Sequence, residues 1–553
     1  MRTYGQLSFS ADRWIVSGLE PHVVMRLKAN FNKIPKASPG PFAFPNDPLT
    51  AADLAWFISR YPLAAKPEDL AHLDAGRTAF VAVQAEVGRI MAVDYTPPAY
   101  SGLRDGQSVR VHQSRAVEML RRFGGLLVGD EMGEGKTYTG GAACLLPGAL
   151  PATIVCPPHL CKQWADKLAA FTTLTTHIVT KTTPYVLPPC DVRIFSYSRL
   201  SGWADILEML GTGLVIFDEA HELRNGVGNE RMPVLKGVAA MRLAMSARMR
   251  LALTGTPIFN YGNEIWNLMS FIRPNLLGDE EEFYREWCMS GRVVKDAEAL
   301  GTYLREQHGM LRKLSDGPKP NVTVQEIDHD QRELDRVEHL AHALAIKATS
   351  GRFEERGQAV RELDLMLRYQ TGVAKAKAVA AYARMIAEAG EPLILFGWHR
   401  EVYEIWLTEL SDLKPVMYTG SETPKRKEEA KQAFLDGETM IFIMSLRSGA
   451  GVDGLQARAR TAVFGELDWS PAMHAQCVGR LNREGQACWP EAVDAIYLVA
   501  DDGSDPPMME VLGLKASQAH SIVDPGLGVQ SAARDESRLQ TLVHRYLAKR
   551  EAA

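Results

Sequence analysis

Apolar residues along this chain fall into two sets of short runs, separated by stretches with helical periodicity. The first set lies between residues 104 and 258 and comprises GLLVGD, TIVCP, VRIFSY, LVIFDE and LALTG. The second set lies beyond residue 390 and comprises LILFG, PVMY, MIFIM, TAVFGE and AIYLV. Continuous apolar runs of this length are typical of parallel strands that are buried on both faces. The pattern therefore predicts an α/β fold with two parallel-sheet lobes.

The remaining segments complete a five-part organisation. We expect the first lobe at residues 99–258 and the second at 371–505. The charged stretch between them, 259–370, has helical periodicity and predicts a helical insert. A helical tail is expected at 506–553.

Residues 1–98 differ in pattern from both lobes and predict a small α+β accessory domain. RWIVSGL reads as a short strand, and the segment that follows it places apolar residues on one helical face. Thr50 is a candidate N-cap for a second helix. A longer helix is expected over residues 67–92, and YTPPAYSG has the composition of a linker.

Composition and charge indicate the general class of protein but do not identify a binding partner. The chain has 553 residues, which suggests roughly three or four domains. With 46% hydrophobic and 23% charged residues it resembles ordinary soluble globular proteins. The net charge of -5 gives no sign of a nucleic-acid partner, but a local basic groove would suffice to bind one.

The cysteines and the hydropathy pattern indicate a cytoplasmic protein. The seven cysteines include no C-x-x-C pair, which argues against a zinc finger and fits reduced thiols. No window approaches 18 uninterrupted apolar residues, so we expect neither a signal peptide nor a membrane span.

The stretch LLVGDEMGEGKTYTG predicts a phosphate-binding loop between a strand and a helix. Gly133 and Gly135 would let backbone N–H groups approach phosphate oxygens, and the helix N-terminus adds a positive dipole end. Lys136 is expected to reach the β- and γ-phosphates of ATP, and the Thr137 hydroxyl to ligate Mg²⁺. Taken alone, the stretch also fits a glycine-rich turn before a helix.

The run GLVIFDEAHELRN predicts an apolar strand that ends in Asp218 and Glu219. Asp218 at the end of a strand is suited to hold Mg²⁺, directly or through water, and Glu219 to polarise the attacking water. The alternative is a surface acidic pair after a buried strand. Combined with the loop, the pair favours an ATP-hydrolysing site that uses ATP and Mg²⁺ as cofactors.

The loop resembles that of the Swi/Snf-type DNA translocases of helicase superfamily two, in which D-E-M-G-x-G-K-T is common. This chain has DEMGEGKT. Asp130 stands where the strict phosphate-loop signature has glycine, and it follows the family pattern. Met132, Gly133, Glu134 and Gly135 belong to the same motif, with Glu134 where leucine is usual. The resemblance implies two RecA-like lobes and a nucleotide-binding role for these residues.

Further motifs extend the resemblance over residues 103–500. VRVHQSRAV resembles the adenine-side segment and implies Gln113 as the base contact. TIVCPPHLCKQWADKLAAF resembles motif Ia, FDEAHELRN the D-E-A-H box, and LALTGTPIFN motif III. LILFGWHREV and SLRSGAGVDGLQ resemble motifs IV and V, with Asp453 where the family usually has glycine.

The stretch FGELDWSPAMHAQCVGRLNREGQ resembles motif VI, and it implies a nucleotide-side role for Gln476. Arg480 and Arg483 are one helical turn apart, so both guanidinium groups could point from one helical face toward the γ-phosphate. A solvated basic helix face is the alternative. If both arginines lie in the second lobe, hydrolysis requires the lobes to close.

The resemblance implies an ATP-dependent translocase that tracks double-stranded DNA without separating its strands. A strand-separating helicase and an ATP-driven remodeller of a DNA-bound protein such as RNA polymerase are the alternatives. The basic stretches 241–250, 310–321 and 424–432 are candidate phosphate contacts or else solvated helix faces. We expect a monomer, with a compact architecture typical of bacterial or bacteriophage members.

The N-terminal segment carries a weaker likeness. Its order of strands and helices and a few residues such as Trp14 loosely resemble the small recognition domain of annealing helicases that bind forked DNA. The alternative is an accessory domain that docks on the first lobe.

Overall fold

The computed structural model of the chain consists of three units that follow one another along the sequence: an N-terminal domain and two lobes, each built on a parallel sheet. The structure describes residues 2–31, 33–258, 262–290, 293–315, 317–350, 353–446, 452–483, 485–486, 490–510 and 512.

The N-terminal domain is α+β, as the sequence predicts. Its antiparallel three-stranded sheet has the order β1-β2-β3, and its three helices pack on that sheet. The predicted cap at Thr50 is wrong, because the Asp47 carboxylate accepts from Thr50 N and the helix begins at Pro48. Trp14 is fully buried, so it is a core residue of this domain. The elements are β1 Gln6–Ser10, β2 Arg13–Ser17, α1 Pro21–Asn30, β3 Phe42–Pro45, α2 Pro48–Arg60 and α3 Pro67–Met91.

The first lobe is a fully parallel seven-stranded sheet with the order β12-β4-β9-β8-β5-β7-β6. Two apolar clusters cover its two faces. The strands are β4 Gly125–Val128, β5 Ala152–Cys156, β6 Thr176–Ile178, β7 Val192–Ser196, β8 Leu214–Asp218, β9 Met249–Leu253 and β12 Met310–Leu311, with the hairpin β10 Cys288–Ser290 and β11 Val293–Val294 outside the sheet. The helices are α4 Val111–Phe123, α5 Lys136–Ala143, α6 Cys161–Phe171, α7 Tyr197–Leu200, α8 Leu235–Ser246, α9 Glu264–Ile272, α10 Glu280–Trp287 and α11 Ala297–Glu306.

The second lobe is a fully parallel six-stranded sheet with the order β13-β18-β17-β14-β16-β15. Apolar clusters again cover both faces. The strands are β13 Asn321–Glu326, β14 Leu393–Gly397, β15 Val416–Tyr418, β16 Ile441–Ser445, β17 Thr461–Phe464 and β18 Asp494–Val499. The helices are α12 Gln331–Asp335, α13 Glu338–Ser350, α14 Phe353–Glu388, α15 Arg400–Glu409, α16 Pro424–Leu435 and α17 Pro471–Val478.

All ten apolar runs are strands of these two sheets, so the predicted α/β fold with two parallel-sheet lobes is confirmed. In a parallel sheet the carboxyl ends of all strands lie at one edge. The loops after β4, β5, β8 and β9, which hold the predicted motifs, therefore lie together at one edge of the first lobe.

The segment predicted as a helical insert is divided between the lobes. Helices α9 to α11 join a core cluster of the first lobe, and β12 pairs with β4. Helices α13 and α14 contribute to the second core, and β13 pairs with β18. The expected boundary at residue 370 falls inside α14. The pattern missed both strands because β12 has two residues and β13 is exposed along its whole length. Most of the expected tail, 506–553, lies outside the described residues.

Six cysteines of the described part carry no disulfide, and Cys488 lies outside it. Two of them are close neighbours, with Cys156 Sγ 3.6 Å from Cys161 Sγ. Within the described ranges, no helix combines the length and the apolar character that a bilayer crossing requires.

Candidate functional site

The predicted phosphate loop joins β4 to α5, which is the strand–turn–helix context that its sequence requires. Gly133 and Gly135 have φ angles of 91° and 81°, in the left-handed region that favours glycine. A Cβ atom at Gly135 would lie 2.7 Å from Gln113 Nε2, so a side chain there would also clash. The loop is therefore built for close backbone approach to a ligand at the N-terminus of α5.

Lys136 lies at the base of this loop. Its Nζ donates to the carbonyl oxygens of Asp130 (2.6 Å) and Glu131 (2.9 Å). Burial lowers the pKa of Lys136, while the negative charges of Glu219, Asp130 and Asp218 oppose that shift. The ammonium group is thus held where a phosphate could replace the two carbonyl oxygens.

Asp130 and Glu131 hold the segment that crosses from the first lobe to the second. Asp130 Oδ1 accepts from Lys313 N (2.8 Å), and Glu131 Oε2 accepts from Ser315 N (2.7 Å). Burial raises the pKa of Asp130, and the bond from Lys313 opposes the shift. The structure places the Asp130 side chain on the interlobe segment, which gives a physical reason for a carboxylate where the strict signature has glycine.

The stretch 310–321 was predicted as a candidate DNA contact, and the structure places its first half on the phosphate loop. The Arg312 side chain is 7% exposed, and its guanidinium donates to the carbonyl oxygen of Gly129. Lys313 Nζ lies 3.7 Å from a carboxylate oxygen of Glu134. Arg312 and Lys313 therefore contact the phosphate loop, and these contacts place both cations on the nucleotide side of the first lobe.

The other two basic stretches lie in different places. Residues 241–250 end α8 and begin β9, and a Cβ atom at Gly148, just before β5, would lie 2.7 Å from Arg248 Nη1. This is the edge of the sheet opposite the phosphate loop, so the stretch does not reach the cleft. Residues 424–432 lie in α16, where Lys425 and Lys431 pair with glutamates of the same helix and Lys427 lies over the Tyr418 ring.

Asp218 and Glu219 lie at the carboxyl end of β8. Trp164 Nε1 donates to Asp218 Oδ2 (2.6 Å), and Glu219 N donates to Asp218 Oδ1 (3.0 Å). Burial, with the neighbouring Glu219 charge, raises the pKa of Asp218 to about 6. Burial opposes ionisation of Glu219 as well, but His221, Lys136 and Arg480 together lower its pKa. Glu219 is therefore the more readily ionised member of the pair and the better candidate for a base.

A chain of polar contacts runs from Glu219 across the cleft to the second lobe. Glu219 Oε2 lies 3.4 Å from His221 Nδ1, and His221 Nδ1 lies 3.3 Å from Thr254 Oγ1. Thr254 Oγ1 accepts from Thr256 N (3.1 Å). Gln476 Nε2, in the second lobe, donates to Thr256 Oγ1 (3.5 Å). This path joins the acidic pair, motif III and motif VI.

The two predicted arginines face the same cleft, but they do not lie on a helix. Helix α17 ends at Val478, and Arg480 and Arg483 lie in the tight turns that follow it, with Arg480 N donating to Cys477 O and Arg483 N to Leu481 O. The expectation of one helical face is therefore wrong: the backbone bonds of Arg480, Leu481 and Arg483 span only two or three residues, although Asn482 N still donates to Val478 O four residues back.

Arg480 lies next to the acidic pair. Burial and the Arg483 charge lower the pKa of Arg480 to about 10, and the negative charge of Glu219 opposes that shift. Its Nε atom is buried and has no hydrogen-bond partner among the described residues. A buried guanidinium donor without a partner is costly, so this position fits an anion such as the γ-phosphate of ATP.

The lobes touch at a glycine that sequence reasoning did not single out. A Cβ atom at Gly479 would lie 2.3 Å from Met132 Sδ, so motif VI packs directly on the phosphate loop. Beside this contact lies a cavity of about 490 Å³. Its lining includes Met132, Gly133 and Glu134 from the first lobe and Asn482, Arg483 and Gln486 from the second.

Gln113 was predicted as the base contact, and in the structure both ends of its amide are engaged within the protein. Gln113 Oε1 accepts from Arg110 N (3.0 Å), and Nε2 donates to the carbonyl oxygens of Gly135 (3.3 Å) and Glu134 (3.5 Å). Gln113 therefore stabilises the phosphate loop through hydrogen bonds to its backbone. Arg110 and His112 are the residues of this segment that line the cavity.

Residues 52–317 match the family model described as the SNF2-related domain. Similar proteins over a longer stretch include SWI/SNF-related proteins. The stretch 52–317, which holds the first lobe, is therefore an SNF2-related domain.

The relatives match about 70% of this chain. It is 25% identical over 439 residues to the mouse (Mus musculus) DNA annealing helicase and endonuclease ZRANB3, covering 74% of this chain and 40% of that protein. It is 26% identical over 410 residues to the Drosophila melanogaster SWI/SNF-related matrix-associated actin-dependent regulator of chromatin subfamily A-like protein 1, covering 70% and 52%. The chain thus spans about half or less of these relatives.

A bacterial relative is nearer in length. The Bacillus subtilis uncharacterized ATP-dependent helicase YqhH is 22% identical over 452 residues, which cover 73% of this chain and 78% of that protein. Among solved structures, the Sulfolobus solfataricus SWI2/SNF2 ATPase core in complex with dsDNA is 17% identical, with a TM-score of 0.37, covering 78% of this chain and 96% of that one.

The residues of this site fit ATP with Mg²⁺. Thr137 lies in the first turn of α5, and Asp218 lies at the end of β8. The Thr137 hydroxyl and the Asp218 carboxylate are therefore the candidate protein ligands of the metal. Magnesium bound with nucleotide takes few protein ligands, and water and phosphate oxygens complete its shell. The described residues include no cluster of three or more His, Cys, Asp or Glu side chains that could hold a metal ion.

Proposed function

We propose that this chain is an ATP hydrolase, stimulated by DNA, that moves along double-stranded DNA without separating the strands. The observation that carries the proposal is the polar path from Glu219 to Gln476, which crosses from one lobe to the other. Such a path links the nucleotide to the relative position of the lobes, as a motor requires.

The chemistry follows from the residues at the cleft. Lys136 and the N–H groups of its loop would hold the phosphates, while Thr137 and Asp218 would hold Mg²⁺. The metal supplies neutralisation of phosphate charge when bound. Glu219, whose pKa is lowered, accepts a proton from the attacking water. Arg480 then stabilises the negative charge of the transition state.

Lobe closure couples this chemistry to movement. The cations of motif VI lie in the second lobe, so they reach the phosphates only when that lobe packs against the phosphate loop, as Gly479 packs against Met132. Closing and reopening with each hydrolysis event would shift the second lobe along a bound backbone.

Double-stranded DNA is the proposed substrate because of the relatives' names. The mouse relative is named a DNA annealing helicase, and the Sulfolobus core was solved with dsDNA. A forked or branched duplex is the form that an annealing helicase would favour. A translocase contacts mainly phosphates, so affinity should fall steeply with salt and vary little with sequence.

Steady-state ATPase rates with no nucleic acid, duplex DNA, single-stranded DNA and RNA test the proposal, with Lys136→Ala as the inactive control. We expect duplex DNA to stimulate the rate most. A rate that no nucleic acid raises would contradict the proposal. Stimulation by single-stranded DNA alone would instead favour a strand-separating helicase.

A further inference from the structure

Asp453 is a residue that the proposed mechanism does not use, although it lies within reach of the nucleotide cavity. It stands where the resemblance predicts glycine, between Val452 and the 3₁₀ turn Leu455–Ala457. Its side chain is 49% exposed. Because glycine is usual at this position, neither core packing nor the backbone conformation requires a carboxylate there. The role of the Asp453 carboxylate must therefore be inferred from its contacts.

The two carboxylate oxygens of Asp453 bind partners in different lobes. Oδ1 accepts a hydrogen bond from Arg483 Nη1, within the second lobe. Oδ2 accepts from Gln163 Nε2 (3.1 Å), which belongs to helix α6 of the first lobe. The carboxylate is therefore a bridge between the lobes.

Arg483 is fixed at two points. Its Nε donates to the carbonyl oxygen of Gly479 (3.0 Å), and its Nη1 donates to Asp453. Because a guanidinium is planar and rigid, two fixed donors set the orientation of the whole group. Both of these hydrogen bonds leave Nη2 unused, and Arg483 lines the cavity beside the phosphate loop. The geometry leaves one N–H pair available to a ligand in that cavity.

We propose that Asp453 is a positioning residue that orients the Arg483 guanidinium toward the bound nucleotide and, through Gln163, ties that orientation to lobe closure. The proposal rests on the proposed ATP hydrolysis. The contact with Gln163 exists only while the lobes are as close as they are here, whereas the contact with Arg483 lies within one lobe. Asp453 therefore aligns the Arg483 guanidinium within the second lobe, and closure of the lobes adds a second restraint through Gln163.

The effect of removing the Asp453 carboxylate on the ATPase rate distinguishes a charge effect from a positioning effect, because the two effects have opposite signs. Asp453→Gly removes a negative charge from Arg483, and charge alone would then favour binding of the transition-state phosphate. The same change removes one of the two fixed contacts, and misplacement of a reacting group by about 1 Å can cost on the order of 10²-fold in rate. The positioning role predicts that the second effect dominates.

The test is the steady-state ATPase rate at saturating duplex DNA for Asp453→Gly, Asp453→Asn, Gln163→Ala and Arg483→Ala. We expect Asp453→Gly to lower kcat by about 10- to 100-fold with the KM for ATP within about twofold. Asp453→Asn, whose amide oxygen still accepts from Arg483, should recover most of the rate. Gln163→Ala should fall between Asp453→Gly and wild type.

A double variant separates positioning from a structural effect. If Asp453 acts through Arg483, Asp453→Gly should lower kcat no further when it is added to Arg483→Ala. A kcat for Asp453→Gly at or above wild type, or an additive loss in the double variant, would overturn the positioning role. A wild-type rate no higher than that of Lys136→Ala would instead overturn the proposed function, and the positioning role with it.

Discussion

The contact between Gly479 and the phosphate loop allows a sharp test of lobe closure. The backbone at Gly479 has φ −62° and ψ −7°, a conformation that alanine adopts without strain. Within its own lobe the methyl group of alanine would meet the carbonyl oxygen of Ala475, at 3.2 Å, a contact that a shift of a few tenths of an ångström relieves. Its methyl group, however, would lie 2.3 Å from Met132 Sδ and 3.2 Å from Met132 Cβ across the cleft.

The size of the effect follows from these distances. Non-bonded heavy atoms approach favourably to about 3.5–4.0 Å, so the lobes or Met132 must move by more than about 1 Å to admit the methyl group. A displacement of that size between motif VI and the phosphates can reduce the rate on the order of 10²-fold. We expect Gly479→Ala to lower the DNA-stimulated kcat by about that factor and to leave the KM for ATP nearly unchanged, since the phosphate loop belongs to the first lobe.

The assay is steady-state ATP hydrolysis at saturating duplex DNA, with binding of a fluorescent ATP analogue measured separately. Gly420→Ala is the matched control, because no atom lies within 4 Å of a Cβ atom at that exposed glycine of the same lobe. Met132→Ala removes the Sδ atom and should restore part of the loss in the double variant. If Gly479→Ala kept kcat within twofold of wild type, the lobes would not need this approach for hydrolysis.

Three further predictions address the chemistry and the stability of the lobes. Lys136→Ala should abolish hydrolysis while circular dichroism shows an intact fold; a rate within a few-fold of wild type would rule out this loop as the active site. Glu219→Gln should retain ATP binding but block turnover, because the amide keeps the shape and cannot accept the proton; a parallel collapse of affinity and rate would assign Glu219 to the metal. Burial lowers the pKa of His474 to about 4, so folding favours the neutral ring; this stabilisation is complete above pH 6.5 and is lost as pH falls toward 4. His474→Gln should therefore remove about 2–3 kcal/mol of acid destabilisation between pH 7.5 and 4.5, measured by urea unfolding, and an identical pH dependence in both proteins would contradict the assignment.

The sequence predicted both sheets because their strands are continuous apolar runs, a pattern that depends only on neighbouring residues. It also located the phosphate loop and the acidic pair, since each directly follows such a run. The N-terminus of α2 shows the limit of this reasoning, because Thr50 and Asp47 are both suitable caps and only the hydrogen bond selects Asp47.

Contacts between distant segments could not be predicted in this way. The partner of Asp130 is the backbone N–H of Lys313, which lies 183 residues away and contributes no side-chain signal. The sequence indicates only that Gly479 can end a helix. Its contact with Met132 depends on the position of the other lobe, which the sequence does not show. The charge of the stretch 310–321 is visible in the sequence and makes it a candidate DNA contact or a solvated helix face, whereas the contact of Arg312 with Gly129 is not visible there.

The central claim is that ATP hydrolysis in the interlobe cleft drives movement along intact duplex DNA. Displacement of a triplex-forming oligonucleotide from a duplex tests this directly, because the third strand is removed by movement and the duplex stays paired. We predict displacement that requires ATP and is lost in Lys136→Ala, with no unwinding of a forked duplex under the same conditions. Unwinding of the fork would identify a strand-separating helicase. ATP hydrolysis stimulated by duplex DNA without displacement would contradict translocation and favour a remodeller of a DNA-bound protein.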